Sequence, residues 1–373
     1  MTSVSNSIPF VDLKAQYQTL KPEIDAAMQT VIEEGAFIRG RFVSTFEAEY
    51  SKAYRVKHCI STANGTDALY IIMRMLGIGP GDEVITTANS WIASSETVTQ
   101  TGARVVFVDI EPHYFNLDPG QVEAAITPRT KAVIAVHLLG QPAQMDAIKT
   151  ICDANGLYLI EDCAQAHFAE LQGQRVGTFG IAATFSFYPG KNLGAYGDAG
   201  AIVTNDDDLA DKCRSYARHG ASTKDKHDHV MEGINSRLDG LQAAILSVKL
   251  PHIFEWNRKR AEAAARYDAL LRSADNIIEL PQVRPGATHI YHVYCVRVKD
   301  RDAVNTRLNA AGIGTSIHYP IPLPFLRAYR YLEHEPSDFP LAWRNHTEIL
   351  SLPIYPEITP EQQQRVVDVL RGA

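Results

Sequence analysis

An α/β fold is predicted: a large unit on a mostly parallel sheet flanked by helices, followed by a smaller C-terminal α+β unit. Three observations predict it. Short apolar runs rich in β-branched residues alternate with helix-like segments through the first two thirds of the chain. Those runs are apolar along most of their length, as strands covered on both faces are. After about Asp239 the alternation gives way to long helices and isolated strands.

Strands are expected at 84–87 (VITT), 105–108 (VVFV), 132–136 (AVIAV) and 157–160 (LYLI), with helices at 91–100, 118–125 and 143–154 between them. Residues 184–188 and 199–203 read as further strands, antiparallel or mixed. Helices are then expected at 241–256 and 259–274, a strand at 289–298 and a helix at 303–311. A last helix, 360–370, opens on a proline, which suits a first helical position. The large unit is assigned to residues 1–250 and the small one to 251–373. No internal repeat or low-complexity linker interrupts them.

The totals fit a soluble enzyme. The chain has 373 residues, of which 45% are apolar and 21% charged. A formal net charge of −7 gives no bulk attraction for nucleic acid or an anionic membrane. Five scattered cysteines without C-x-x-C spacing read as buried thiols of a cytoplasmic protein. The first residues lack the pattern of a signal peptide, and no apolar run is long enough to span a bilayer.

The stretch FSFYPGKNLGAYGDAGAIV sets Lys191 between an aromatic run and three glycines. A phosphate-binding P-loop would need glycine where Phe185 stands and serine or threonine where Asn192 stands. The glycines run G-x-x-G-x-x-G, which is not the dinucleotide fingerprint. A lysine on a glycine turn is ordinarily a solvated surface group. One held after a strand-like run and Pro-Gly suits a Schiff base with a carbonyl better, and pyridoxal phosphate is the cofactor that uses it.

That cofactor requires a carboxylate for its ring nitrogen and donors for its phosphate. LYLIEDCAQAH places Glu161 and Asp162 at the end of an apolar strand, where open α/β sheets bind ligands. Strand alternation aims the two acids at opposite faces, so only one can serve. Gly65 and Thr66 open an apolar helix whose N-terminus suits a phosphate, although Thr66 equally suits a plain N-cap. Ser186 adds a hydroxyl beside the lysine loop. Trp91, after TTANS, is placed either flat on the cofactor ring or in ordinary packing.

With these blocks in order, the chain resembles the DegT/DnrJ/EryC1/StrS family of sugar aminotransferases, fold-type I pyridoxal phosphate enzymes. IPFVDLKAQY, NGTDAL, IEDCAQAH, FSFYPGKNLGAYGD, GINSRLDGLQAAIL and GIGTSIHYPIPLP carry the resemblance nearly end to end. It implies that Lys191 forms the Schiff base and moves protons. Asp162 is implied as the ring-nitrogen partner and Gln165 as the partner of the ring hydroxyl. Trp91 is implied to stack on the ring, and Gly65, Thr66 and Ser186 to bind the phosphate. Asn235 matches an asparagine that relatives extend into the neighbouring subunit's site, which implies a homodimer.

Within the family, the chain looks most like the branch that aminates C3 of dTDP-linked 3-keto-6-deoxyhexoses, with L-glutamate as donor. Tyr188, His318 and Tyr319 match the residues that face the nucleotide sugar there. Lys224 matches a sugar- or diphosphate-facing lysine, with Lys226 as the alternative. His227 and His229 lack the further ligands a metal needs. Departures from the family pattern include Phe168, expected to place a ring beside the cofactor region, and Gly240, expected to weaken a helix start. The rival readings are a C4 or keto-cyclitol aminotransferase, a sugar dehydratase, which carries histidine in place of Lys191, and a non-catalytic regulator.

Overall fold

The structure, a computed structural model, describes residues 7–222 and 224–372. Helices α1 (Leu13–Glu33) and α2 (Arg41–Tyr54) precede β1 (His58–Thr62). The chain then alternates through α3 (Gly65–Met75), β2 (Glu83–Thr87), α4 (Ala93–Gln100), β3 (Arg104–Val108), α5 (Pro119–Ala124), β4 (Thr130–Val136), α6 (Met145–Asn155) and β5 (Tyr158–Asp162). The short strands β6 (Glu170–Leu171) and β7 (Gln174–Arg175) lead to β8 (Ala182–Ser186), β9 (Gly200–Thr204), α7 (Asp207–Tyr216) and α8 (Gly240–Lys249). The C-terminal part holds α9 (Ile253–Leu271), β10 (Ile277–Glu279), β11 (Ala287–Thr288), β12 (Tyr294–Val298), α10 (Arg301–Ala310), α11 (Pro340–Glu348), β13 (Ile349–Leu352) and α12 (Pro360–Arg371).

The main sheet runs β1-β9-β8-β5-β4-β2-β3, and β9 alone lies antiparallel to its neighbours. Alternate residues of each strand feed separate cores. Ile60, Ala182 and Ile202 pack beneath α3 and α7, whereas Cys59, Ala183 and Val203 pack against α1, α2 and α8. This double covering explains the unbroken apolar runs. A second sheet, β10-β12-β13, packs against α9, α10 and α12. Ile8, from the opposite end of the chain, is buried in that same core.

Two local expectations are corrected, and the glycine at a third position is explained. The expected helices 241–256 and 259–274 divide at Leu250-Pro251, so that α8 ends at Lys249 and α9 starts at Ile253. The expected strand 289–298 is ladder-paired only from Tyr294, because the preceding backbone groups bond elsewhere. Gly240 opens α8 where a Cβ would lie 2.0 Å from the Ala36 carbonyl oxygen, so close approach of two chain segments demands glycine there.

Candidate active site

The carboxyl ends of the parallel strands open into a cavity of about 720 Å³. After β1 come Asn64, Gly65 and Thr66; after β2, Ser90 and Trp91; at and after β5, Asp162, Ala164 and Gln165. The loop from Ser186 at the end of β8 to Lys191 forms another wall, with Asp198 entering β9. His292, Ser316, His318 and Tyr319 close the cavity from the C-terminal part, and Phe10, Val11 and Leu13 from the N-terminal segment.

The two acids separate as strand alternation demands. Glu161 is fully buried and accepts from the backbone N–H groups of Gly177, Phe179 and Gly180 at 2.7, 2.7 and 2.8 Å. His137 Nδ1 accepts from Ala143 N–H, so its Nε2 donates to Glu161 at 3.1 Å. Glu161 is therefore spent on holding the loop after β7. Asp162 faces the cavity. Its two oxygens accept from Ser94 Oγ at 2.9 Å and Ala164 N–H at 3.1 Å, and Ser90 Oγ backs Ser94 at 2.8 Å.

Lys191 Nζ makes no hydrogen bond or ion pair with another described residue. Burial lowers its pKa to about 8, against the opposing pull of Asp162. Behind the lysine loop, Asn192 Nδ2 donates to Asn257 Oδ1 at 2.8 Å and to the Ile290 carbonyl at 3.1 Å. Its remaining oxygen faces His292 Nδ1 at 3.2 Å, so that nitrogen carries the proton.

At the other end of the cavity, Asn64 rather than Thr66 caps α3, accepting from Asp67 N–H at 2.7 Å. The N–H groups of Gly65 and Thr66 therefore have no intrahelical partner. A Cβ on Gly65 would meet Ser186 Cβ at 2.9 Å, and one on Gly200 would meet Gly65 N at 2.7 Å. Three chain segments converge there without side chains in the way, and the Thr66 and Ser186 hydroxyls border the gap. This cradle and the unpartnered lysine fit the phosphate and the aldehyde of pyridoxal phosphate.

Gln165 Oε1 accepts from Leu139 N–H at 2.7 Å, and its Nε2 donates to Tyr319 Oη at 2.9 Å. Trp91 is 59% exposed and only tilted against Tyr319, with ring centroids 5.8 Å apart, so it is not a core residue. Tyr188 is 60% exposed at the cavity wall. Asn235 and Lys224 are also exposed, but neither lines the cavity of its own chain.

Phe168 is not beside the cavity. Its ring is buried behind the sheet against Tyr54 at 4.4 Å and Phe254 at 4.9 Å, and its N–H donates to Tyr54 Oη. The neighbouring His167 donates from Nε2 to the Ser186 carbonyl and accepts from Tyr50 Oη at Nδ1. Burial pushes its pKa down to about 3, so it stays neutral and fixes Ser186. Sequence reasoning missed Ser94, His292 and Asp198. The one available signal was the pair of serines flanking Trp91, Ser90 just before α4 and Ser94 in its first turn.

Fold and site define a fold-type I pyridoxal-phosphate-dependent transferase. Residues 18–371 match the model of the DegT/DnrJ/EryC1/StrS aminotransferase family, and the chain belongs to that family. It is a pyridoxal-phosphate-dependent sugar aminotransferase. It is 47% identical over 363 residues, 97% of each chain, to a Geobacillus stearothermophilus protein called pleiotropic regulatory protein. A Pseudomonas aeruginosa UDP-2-acetamido-2-deoxy-3-oxo-D-glucuronate aminotransferase is 45% identical over 94% of this chain and 95% of its own. A Streptomyces venezuelae dTDP-3-amino-3,4,6-trideoxy-alpha-D-glucose transaminase is 42% identical over 98% of this chain and 95% of its own. The crystal structure of S. venezuelae DesV in complex with a ketimine intermediate superposes with a TM-score of 0.94, at 42% identity over 98% of each chain. Among the described residues, no helix is long and apolar enough to cross a membrane.

Proposed function

We propose that the chain transfers the amino group of L-glutamate to C3 of a dTDP-linked 3-keto-6-deoxyhexose, as a cytoplasmic homodimer. The observation that carries amino transfer is the pairing, in one cavity, of an unpartnered Lys191 amine with the doubly held Asp162 carboxylate. Position C3 is supported by the 3-amino and 3-oxo sugars in the names of two relatives. The buried free cysteines agree with a reducing compartment.

Pyridoxal phosphate, when bound, supplies an electron sink for the carbon that exchanges its proton. Lys191 takes a proton from the donor's α-carbon and delivers one to C3 of the acceptor, as a general base and then a general acid. Asp162, fixed by Ser94 and Ala164, keeps the ring nitrogen protonated. Gln165 addresses the ring hydroxyl, and Trp91 covers a ring face. Gly65, Thr66 and Ser186 hold the phosphate, whose fixed anchorage lies away from the reacting carbons. Tyr188, His318 and Tyr319 face the sugar. Asn235 serves the neighbouring subunit's site, in keeping with its exposure on an isolated chain, and Lys224 meets the sugar or diphosphate.

The test is the visible absorption of the purified protein with pyridoxal phosphate, before and after L-glutamate, alongside Lys191→Ala. A lysine-bound cofactor band that glutamate abolishes, and that a dTDP-3-keto-6-deoxyhexose restores, supports the reading. A band restored only by a UDP-linked 3-keto sugar favours that acceptor, as the 45% identical relative does. Restoration only by a 4-keto sugar or keto-cyclitol moves the assignment away from C3. A band indifferent to every amino acid returns the chain to the regulator reading.

A further inference from the structure

We propose that Phe10 is a positioning residue for the amino acceptor, holding His318 and forming the apolar wall beside it. The proposal rests on the reading of His318 as a sugar-facing residue. The segment bearing Phe10 is fastened at both ends. Ile8 N–H donates to the Gly312 carbonyl at 2.9 Å, and the Ile8 carbonyl accepts from Gly314 N–H at 2.8 Å. Four residues on, Asp12 caps α1 by accepting from Ala15 N–H at 2.8 Å. The strap thus runs from the core around the second sheet to a helix packed on the main sheet.

From this strap Phe10 reaches into the cavity wall and stacks on the His318 imidazole, with centroids 5.7 Å apart and planes 25° from parallel. His318 Nδ1 bonds Ser351 Oγ at 2.9 Å. The stack sets the plane of the imidazole and the hydrogen bond sets its rotation, leaving Nε2 as the edge available to a ligand. Burial, with Lys191 nearby, lowers the His318 pKa to about 4, so the edge belongs to a neutral ring. A neutral, fixed imidazole suits a sugar hydroxyl or carbonyl, and an adjoining benzene face suits the C–H surface of a deoxy sugar. Phe10 therefore acts on the acceptor, whereas the chemistry common to both substrates rests on Lys191 and Asp162.

Phe10→Leu keeps the bulk without the flat ring, and Phe10→Tyr keeps the ring. The two half-reactions are followed separately by stopped-flow absorption on cofactor-loaded protein, the first with L-glutamate and the second with the keto sugar that restores the wild-type band. Phe10→Leu is expected to lower kcat/KM for the keto sugar at least tenfold, leave the glutamate half-reaction within about twofold, and be rescued by Phe10→Tyr. An unchanged acceptor kcat/KM, an equal fall in both half-reactions, or failure of tyrosine to rescue would overturn the proposal. If Phe10→Leu does not fold, Phe10→Met takes its place under the same criteria. A wild type that turns over glutamate but aminates no keto sugar removes the acceptor reading itself, and this proposal with it.

Discussion

Lys191, half-buried, and Lys249, fully buried, are two desolvated amines put to different uses. Lys191 faces open cavity, whereas fully buried Lys249 donates to the Gly194 carbonyl at 2.7 Å and lies 4.1 Å over the Tyr196 ring. A pKa of about 8 for Lys191 predicts that the apoprotein captures pyridoxal phosphate faster as pH rises from 7 to 9 and then levels off. An ordinary lysine would continue to accelerate toward pH 10.5; absorbance stopped-flow distinguishes the two. For Lys249, burial lowers the pKa from 10.5 to about 7. Between those values the unfolded chain binds the extra proton, so stability rises with pH, by on the order of 4 kcal/mol across the window. Urea titrations at pH 7 and 10 should show this rise in the wild type and its loss in Lys249→Met.

Among the elements, Glu161 and Asp162 were legible because a strand has a fixed period: the sequence placed one acid on each face, and the structure gives each a different task. The strand expected at 289–298 failed for a reason no local pattern carries. Arg260, on α9, donates to the carbonyls of Tyr291, His292 and Ile354, while Tyr291 N–H turns back to His289 Nδ1. Backbone groups satisfied by a distant side chain have no need of a ladder. Arg260→Met should therefore leave buried carbonyls without donors and cost at least about 3 kcal/mol in urea unfolding, at roughly 1–3 kcal/mol for each unsatisfied group. The Thr66 alternatives divided similarly. Only the three-dimensional start of α3 reveals that Asn64 does the capping and frees Thr66 for the cavity.

For the whole molecule, the proposed exchange of Asn235 between subunits has a direct test. Lys191→Ala and Asn235→Ala homodimers are each expected to be nearly inactive. Unfolded together and refolded at equal concentration, they should regain roughly a quarter of wild-type activity, since half the dimers are mixed and each mixed dimer has one intact site. No recovery, or full activity in Asn235→Ala alone, counts against a site shared between chains.

The antiparallel edge of the main sheet also governs when the protein comes into being. β1 meets its sheet partner β9 only about 140 residues further along the chain, and the gap among Gly65, Ser186 and Gly200 exists only once they pair. During synthesis, then, β1 waits through the making of the sheet's five other parallel strands before it is covered, an interval in which aggregation competes. Held as proposed at Gly65, Thr66 and Ser186, the vitamin-derived cofactor would grip both sides of that final seam. Its supply would then help set the yield of finished protein as well as the activity of each molecule, because a ligand held only by the completed sheet draws the folding equilibrium toward it.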